Sequence, residues 1–219
     1  MAASQATRPA AEAVDHLLLG TRDLDAGIEW AAKRFGVKAA VGGSHPGRGT
    51  RNALIAFRRR RYLEIIAPDP AQPRENLTRD LRGVDEPRLI AWASATGDLG
   101  ALARRLQDRG QRVTGPLDGS RIRPDGRKLA WQTLAVQAAF EQDGTDPIPF
   151  FIQWSPESSH PSQDSPQGCD LIAFAIEHPN ADAVRALLAQ AGIDAEVRQA
   201  KSCRLTATLD TPKGRVVLG

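Results

Sequence analysis

An α+β fold made of three consecutive βαβββ modules is the class this sequence predicts, and three observations predict it. A short apolar strand followed by a capped amphipathic helix occurs three times, each helix carries one apolar stripe, and two or three strand-like runs follow each helix. A helix with a single apolar face must cover a sheet, which leaves the other face of each sheet free to curl against a neighbour. Two sheets facing one another enclose a cleft. The first two modules are expected to form this open, barrel-like cleft, and the third to be structural or dimerising.

The first module opens with "AVDHLLLGT", an apolar strand, and continues into a helix whose Leu24, Ile28, Ala31 and Phe35 share a face. Asp23 is the expected N-cap and Gly36 the stop. Two strands, "RNALIAF" and "RYLEIIAP", close the module. In the second, "RLIAWASA" is the strand, Asp98 the cap, Leu99, Leu102, Ala103 and Leu106 the stripe and Gly110 the stop, with "KLAWQTLAV" and "PFFIQWSP" following. In the third, "DLIAFAIEH" leads to Asn180 as cap, Val184, Leu187, Leu188 and Ala191 as stripe and Gly192 as stop, then "RLTATLDT" and "RVVLG".

Proline-rich and serine-rich stretches divide the modules. The expected organisation is a flexible lead-in over 1–12, module one over 13–70, a linker over 71–86, module two over 87–156, an exposed linker over 157–168 and module three over 169–219.

Composition excludes several classes. With 219 residues, 41% of them hydrophobic, the chain can bury a sizeable core. A net charge of +3 is too small to argue for nucleic acid, and "RRRR", Arg58 to Arg61, reads as a charged hairpin tip. Cys169 and Cys203 lack metal or redox spacing and read as buried thiols. "MAASQATRPAAEAV" has no apolar core of signal-peptide length, and no run of about 18 apolar residues suggests a membrane span. A cytoplasmic protein that touches neither nucleic acid nor membrane is the expectation. "GGSHPGRGT" lacks the Gly-Lys-Ser/Thr ending of a phosphate loop, and no Gly-x-Ser-x-Gly elbow is present.

Two residues stand out against this plain background. Strand alternation puts His16 on one face with Val14 and Leu18, while Asp15 points away with Leu17 and Leu19. In "RYLEIIAP", Glu64 projects with Tyr62 and Ile66. An ionised glutamate in an apolar strand is costly unless paired, hydrogen-bonded or bound to a cation. His16 and Glu64 are therefore either a hydrogen-bonded structural pair or half of a divalent-metal site.

The repeated grammar, "YLEIIAPDP" closing module one, "GGSHPGRGTRNAL" before it and "FFIQWSPESSHP" closing module two together resemble the vicinal oxygen chelate superfamily. This is the superfamily of glyoxalases, ring-cleaving dioxygenases and bleomycin-resistance proteins, and within it the chain looks like the glyoxalase-like domain proteins. The resemblance covers residues 13 to 219 and implies paired modules around a divalent metal (Zn, Fe, Mn or Ni) that binds two oxygens of a substrate. It places family ligand positions on His16 and Glu64, with Gln153 near the position of a second glutamate. Ala91 and Trp92 stand where a second first-strand ligand would lie, and neither can coordinate.

His45, in the glycine-rich loop, and Glu64 are the catalytic candidates. Arg51, Asn52, Trp92, Trp131, Trp154 and His160 are the candidates for holding a small-molecule substrate, Arg51 as a carboxylate clamp and the tryptophans as wall or core. Two functions compete: a metal-dependent lyase, isomerase or dioxygenase, and a metal-free small-molecule binding protein of the bleomycin-resistance type. The third module offers Ala173 and Phe174 where ligands would stand, and its last strand could leave an edge that a homodimer would cover.

Overall fold

The structure is a computed structural model that describes residues 7–77, 81–123 and 125–219. Module one consists of β2 (Val14–Gly20), α2 (Leu24–Phe35), β3 (Ala40–His45), β4 (Thr50–Phe57) and β5 (Arg61–Pro68), preceded by β1 (Arg8–Pro9) and α1 (Ala10–Ala13). Module two consists of β6 (Arg88–Ala95), α3 (Leu99–Gln107), β7 (Val113–Ile122), β8 (Lys128–Val136) and β9 (Phe150–Trp154). The third unit holds β10 (Asp170–His178), α4 (Ala181–Gln190), β11 (Ile193–Asp194), β12 (Glu196–Gln199), β13 (Arg204–Thr211) and β14 (Gly214–Leu218).

The helices form where their stripes and caps require. Asp23 accepts the Ala26 N–H at 2.8 Å, Gly36 closes α2 in the left-handed conformation (φ 77°), and Leu24, Ile28, Ala31 and Phe35 are buried. In α3, Asp98 accepts from Ala101 N at 2.8 Å. Asn180 precedes α4 without a side-chain cap; its own N–H is instead donated to His178 Nδ1.

Modules one and two share one eight-stranded sheet of order β3-β4-β5-β2-β6-β9-β8-β7. Within each, the first strand pairs in parallel with the last, β2 with β5 and β6 with β9, and an antiparallel β2–β6 seam joins the two halves. One face, carrying Leu17, Leu19, Leu63 and Ile65, lies in the main core. The other face lines the cleft. The sheet curls until its outermost strands meet, with the Arg121 guanidinium on β7 donating to the Gly42 carbonyl on β3.

The third unit repeats the element order with a different threading. Its sheet runs β12-β10-β13-β14, so its first strand is central, parallel to β12 and antiparallel to β13. It packs against the back of module two through Phe174, whose ring lies 5.0 Å from that of Trp92. Residues of all three units belong to one continuous core.

Two expectations need correction. Part of the flexible lead-in is folded: Arg8–Pro9 pairs with Ile193–Asp194, and Ala10 and Ala13 are buried; residues 1–6 lie outside the described residues. The arginine run is not wholly a hairpin tip either. Arg61 is buried, pairs with Asp170 at 2.9 Å and donates to the carbonyls of Ala11 (2.7 Å) and Leu171 (3.2 Å), stapling module one to the lead-in and the third unit. Both cysteines are free, and burial pushes the thiol of Cys169 up to about 11 and that of Cys203 to about 12. Among the described residues no helix is long and apolar enough to cross a membrane.

Removing one partner of a buried ion pair strands the other in a poor solvent. Arg61→Ala should therefore cost about 3 kcal/mol in urea denaturation, whereas Arg58→Ala, on the exposed turn, should leave the midpoint within error.

Candidate functional site

The cleft is a cavity of about 410 Å³. One side carries His16, His45, Asn52, Tyr62 and Glu64 from module one, and the other carries Leu117, Arg121, Trp131, Phe150 and Trp154 from module two. Ladder register explains the first group: His16 stands opposite Tyr62, Leu18 opposite Glu64, Leu54 opposite Glu64, and His45 opposite Thr50. Alternate residues of β5 thus face the cleft at positions 62, 64 and 66, as alternation predicts.

Asp15 does not follow alternation. Val14 pairs with Ser94 and His16 with Ala93, so Asp15 is the extra residue of a β-bulge. The bulge turns its carboxylate toward His16, the reverse of the sequence expectation. Asp15 Oδ1 lies 2.7 Å from His16 Nδ1, and Oδ2 accepts from Trp154 Nε1 at 3.1 Å and lies 3.2 Å from His160 Nε2. Burial by itself would raise the Asp15 carboxyl, but the hydrogen bonds from His16 and His160 more than offset it and hold it well below 3.8.

Asp15 fixes one nitrogen of His16. An ionised carboxylate can only accept, so His16 carries a proton on Nδ1 and turns Nε2 into the cleft. His45 is held at Nδ1 by Thr50 Oγ1, 2.9 Å away, and also presents Nε2. Both nitrogens meet Glu64: His16 Nε2 lies 3.5 Å from Oε2 and His45 Nε2 lies 3.5 Å from Oε1. Asn52 Nδ2 donates to Glu64 Oε1 at 2.7 Å and lies 3.2 Å from His45 Nε2.

Charge follows from this packing. Burial pushes Glu64 up, but His45, His16, the Asn52 hydrogen bond and Arg121 together bring it below 4.5. Burial lowers His45 against the pull of Glu64, helped by Arg121, Arg48 and His16. Tyr62, stacked on His16 with ring centroids 4.5 Å apart, is held protonated well above 10, by burial first and then by Glu64 and Asp15.

The fit to a divalent ion can be tested on these distances. Two ligands about 2.1 Å from a tetrahedral metal are separated by about 3.4 Å, close to both of the Glu64–imidazole separations. Asn52 Oδ1 is buried with no hydrogen-bond partner, a further oxygen donor in want of a positive group. Among the described residues no group of three His, Cys, Asp or Glu is gathered into a metal site as it stands. The side chains fit a divalent ion in kind, as two imidazole–carboxylate edges on the two oxygens of Glu64.

The other sequence candidates are placed as follows. Asn52, Trp131 and Trp154 line the cavity with His16, His45 and Glu64. Gln153 does not: on β9 its neighbours Ile152 and Trp154 face the cleft, so its own Oε1 turns outward and accepts the Leu99 N–H at 2.9 Å, at the start of α3. Trp92 is fully buried in the core, its indole N–H donated to the Pro147 carbonyl at 3.0 Å. Arg51 points away from the cavity, with Asp25 3.7 Å from its guanidinium. His160 is 1% exposed behind Asp15, so the linker expected to be exposed dips into the fold there. His45 ends strand β3 rather than lying in a loop.

Sequence reasoning missed Asp15, Tyr62 and Arg121. Tyr62 was legible as a neighbour of Glu64 by alternation. Arg121 had no signal, because it reaches the cleft only when β7 closes on β3. Gly42 allows that approach, since a Cβ there would run into Asn52 and Arg121.

Paired βαβββ modules around a cleft define a vicinal oxygen chelate protein. A family model for the glyoxalase-like domain matches residues 14–201, and the chain belongs to that family. Among solved structures, a hypothetical protein from Staphylococcus aureus is similar at 19% identity, with 87% of each chain covered and a TM-score of 0.67. A methylmalonyl-CoA epimerase from Mycobacterium tuberculosis is similar at 20% identity over 72% of this chain and 95% of its own, with a TM-score of 0.47. No curated protein matches the sequence.

Because Asp15 is depressed in the folded state, its contribution is present above the ordinary value of 3.8 and is lost as pH falls through its lower folded value. Asp15→Asn should therefore lower the melting temperature at pH 7, and its gap to wild type should narrow only below pH 3.8.

Proposed function

We propose that this chain is a glyoxalase-like enzyme whose cleft holds a divalent metal on His16, His45 and Glu64 and acts on a small oxygen-bearing substrate. Lyase, isomerase or dioxygenase chemistry would each use such a site. The observation that carries the reading is geometric: Nε2 of His16 and Nε2 of His45 each lie 3.5 Å from an oxygen of one ionised carboxylate, and such an arrangement calls for a positive charge among them. Gln153, the ligand expected from the second module, is replaced here by His45.

Zn, Fe, Mn or Ni suits two imidazoles and a carboxylate, and such an ion would supply Lewis acidity for a substrate carbonyl oxygen. The chain's own groups do the rest. Asp15, itself fixed by Trp154 and His160, orients His16. With His45 Nε2 on the metal, the oxygen of Glu64 left free is the base; without metal, His45 can itself take a proton at Nε2, and in either case the protonated Tyr62 hydroxyl can donate one.

A second reading is metal-free binding of a small molecule. It is favoured by the poverty of the second module, which offers Ala91 at the cleft and turns Gln153 away, and by the guanidinium of Arg121, a positive charge already near Glu64. At the β14 edge that a homodimer would cover, the Val217 carbonyl accepts from Arg34 at 3.1 Å.

Metal analysis by mass spectrometry on untagged protein, with reconstitution, separates the two. Near-stoichiometric metal in wild type, lost in His16→Ala, His45→Ala and Glu64→Gln and retained in Gln153→Ala, is expected. Asp15→Asn should weaken metal affinity by about 10- to 100-fold through the orientation of His16. A wild-type protein that takes up no metal sinks the enzyme reading and leaves the binding one.

A further inference from the structure

The cavity is divided by polarity. Module one contributes the ionisable and amide groups around Glu64, whereas module two contributes mainly the apolar wall of Leu117, Trp131, Phe150, Ile152 and Trp154, with Arg121 and Asp146 as its charged groups. Trp131 and Trp154 lie with ring centroids 5.4 Å apart, forming one continuous aromatic wall. A molecule filling this space has a polar head and an apolar or aromatic body.

Arg121 fixes the sign of the head. Its side chain lines the cavity and the residue is only 4% exposed. Among the described residues its hydrogen-bond acceptor is the Gly42 carbonyl, and no Asp or Glu forms an ion pair with it. Glu64 is near enough to feel its charge but is engaged by Asn52, His16 and His45. A guanidinium has five N–H donors, and among the described residues the Gly42 carbonyl takes one of them, so the others are open to a ligand. A second cation, Arg48, lines the same cavity at an exposed position. Glu64 and Asp146 also line the cavity, so its charge is mixed; it is the remaining N–H donors of Arg121, with Arg48 at the rim, that suit an anion. A single buried guanidinium offers one planar, two-donor edge, which matches a carboxylate in geometry and in charge.

We propose that the cleft binds an amphipathic carboxylate, its carboxylate on Arg121 and its apolar or aromatic body against Trp131, Phe150 and Trp154. The proposal rests on the reading of this cleft as the substrate site, and it is independent of whether a metal is bound. It also makes Arg121 bifunctional: the side chain that receives the ligand is the one that bridges β7 to β3, so ligand and barrel closure share a residue.

Isothermal titration of metal-free wild-type protein with 3-phenylpropanoate, 3-phenylpropanamide and acetate provides the test. The acid should bind at least about tenfold more tightly than the amide, the gain of a charge-assisted over a neutral contact. It should exceed acetate by a similar factor, about tenfold, through its buried ring. Arg121→Gln should bring acid and amide within about twofold of each other while amide binding persists, and Arg121→Lys should restore part of the preference. Persistence of amide binding reports that the variant is folded; should Arg121→Gln not fold, the wild-type comparison and Arg121→Lys decide. Equal affinity for acid and amide, no binding of either, or an undiminished preference in Arg121→Gln overturns the proposal. Since the titration is made without metal, its failure is distinct from a failure of the metal reading.

Discussion

The bulge at Asp15 is the constraint on which the site depends. A regular strand would place its carboxylate among Leu17 and Leu19, where an ionised group has no partner. One extra residue against β6 turns it toward His16, Trp154 and His160, which supply three N–H donors. The cost of burying a carboxylate is thus offset locally, and the same hydrogen bonds fix the Nδ1 proton of His16. That bond decides which nitrogen faces Glu64. The orientation of the cleft's imidazole therefore begins with a backbone irregularity one residue before the histidine.

The three donors also tie the site to distant parts of the chain. Trp154 ends β9, and His160 lies in the linker after it, so module two and the following segment orient a side chain of module one. Arg121 acts in the opposite direction, reaching from β7 to the Gly42 carbonyl and placing its charge near Glu64. The two modules are not equivalent halves of the cleft. One supplies the titratable groups, and the other supplies the wall, the anchor for Asp15 and a guanidinium.

The third unit has a scaffolding part in this arrangement. Phe174 packs on Trp92 behind the β2–β6 seam, and Asp170 receives Arg61 from the start of β5, the strand that carries Tyr62 and Glu64. Its different sheet order does not alter that role, since what module one needs from it is an apolar face and one carboxylate.

The sequence by itself determined the three strand-and-helix units, their stripes and most caps, because apolar periodicity and capping chemistry act over a few residues. It also determined that His16 and Glu64 share a cleft, since alternation along two strands and the resemblance to the glyoxalase-like domain agree on them. Tertiary structure alone decided the rest. The side on which Asp15 lies depends on a bulge against β6, a strand more than 70 residues away. Gln153 and Trp92 face away from the cleft because ladder register, not composition, chooses a side. Arg121, His160 and the inward turn of Arg61 depend on which segments meet when the sheet curls and the third unit docks. Such contacts join residues far apart in sequence, and no local pattern records them.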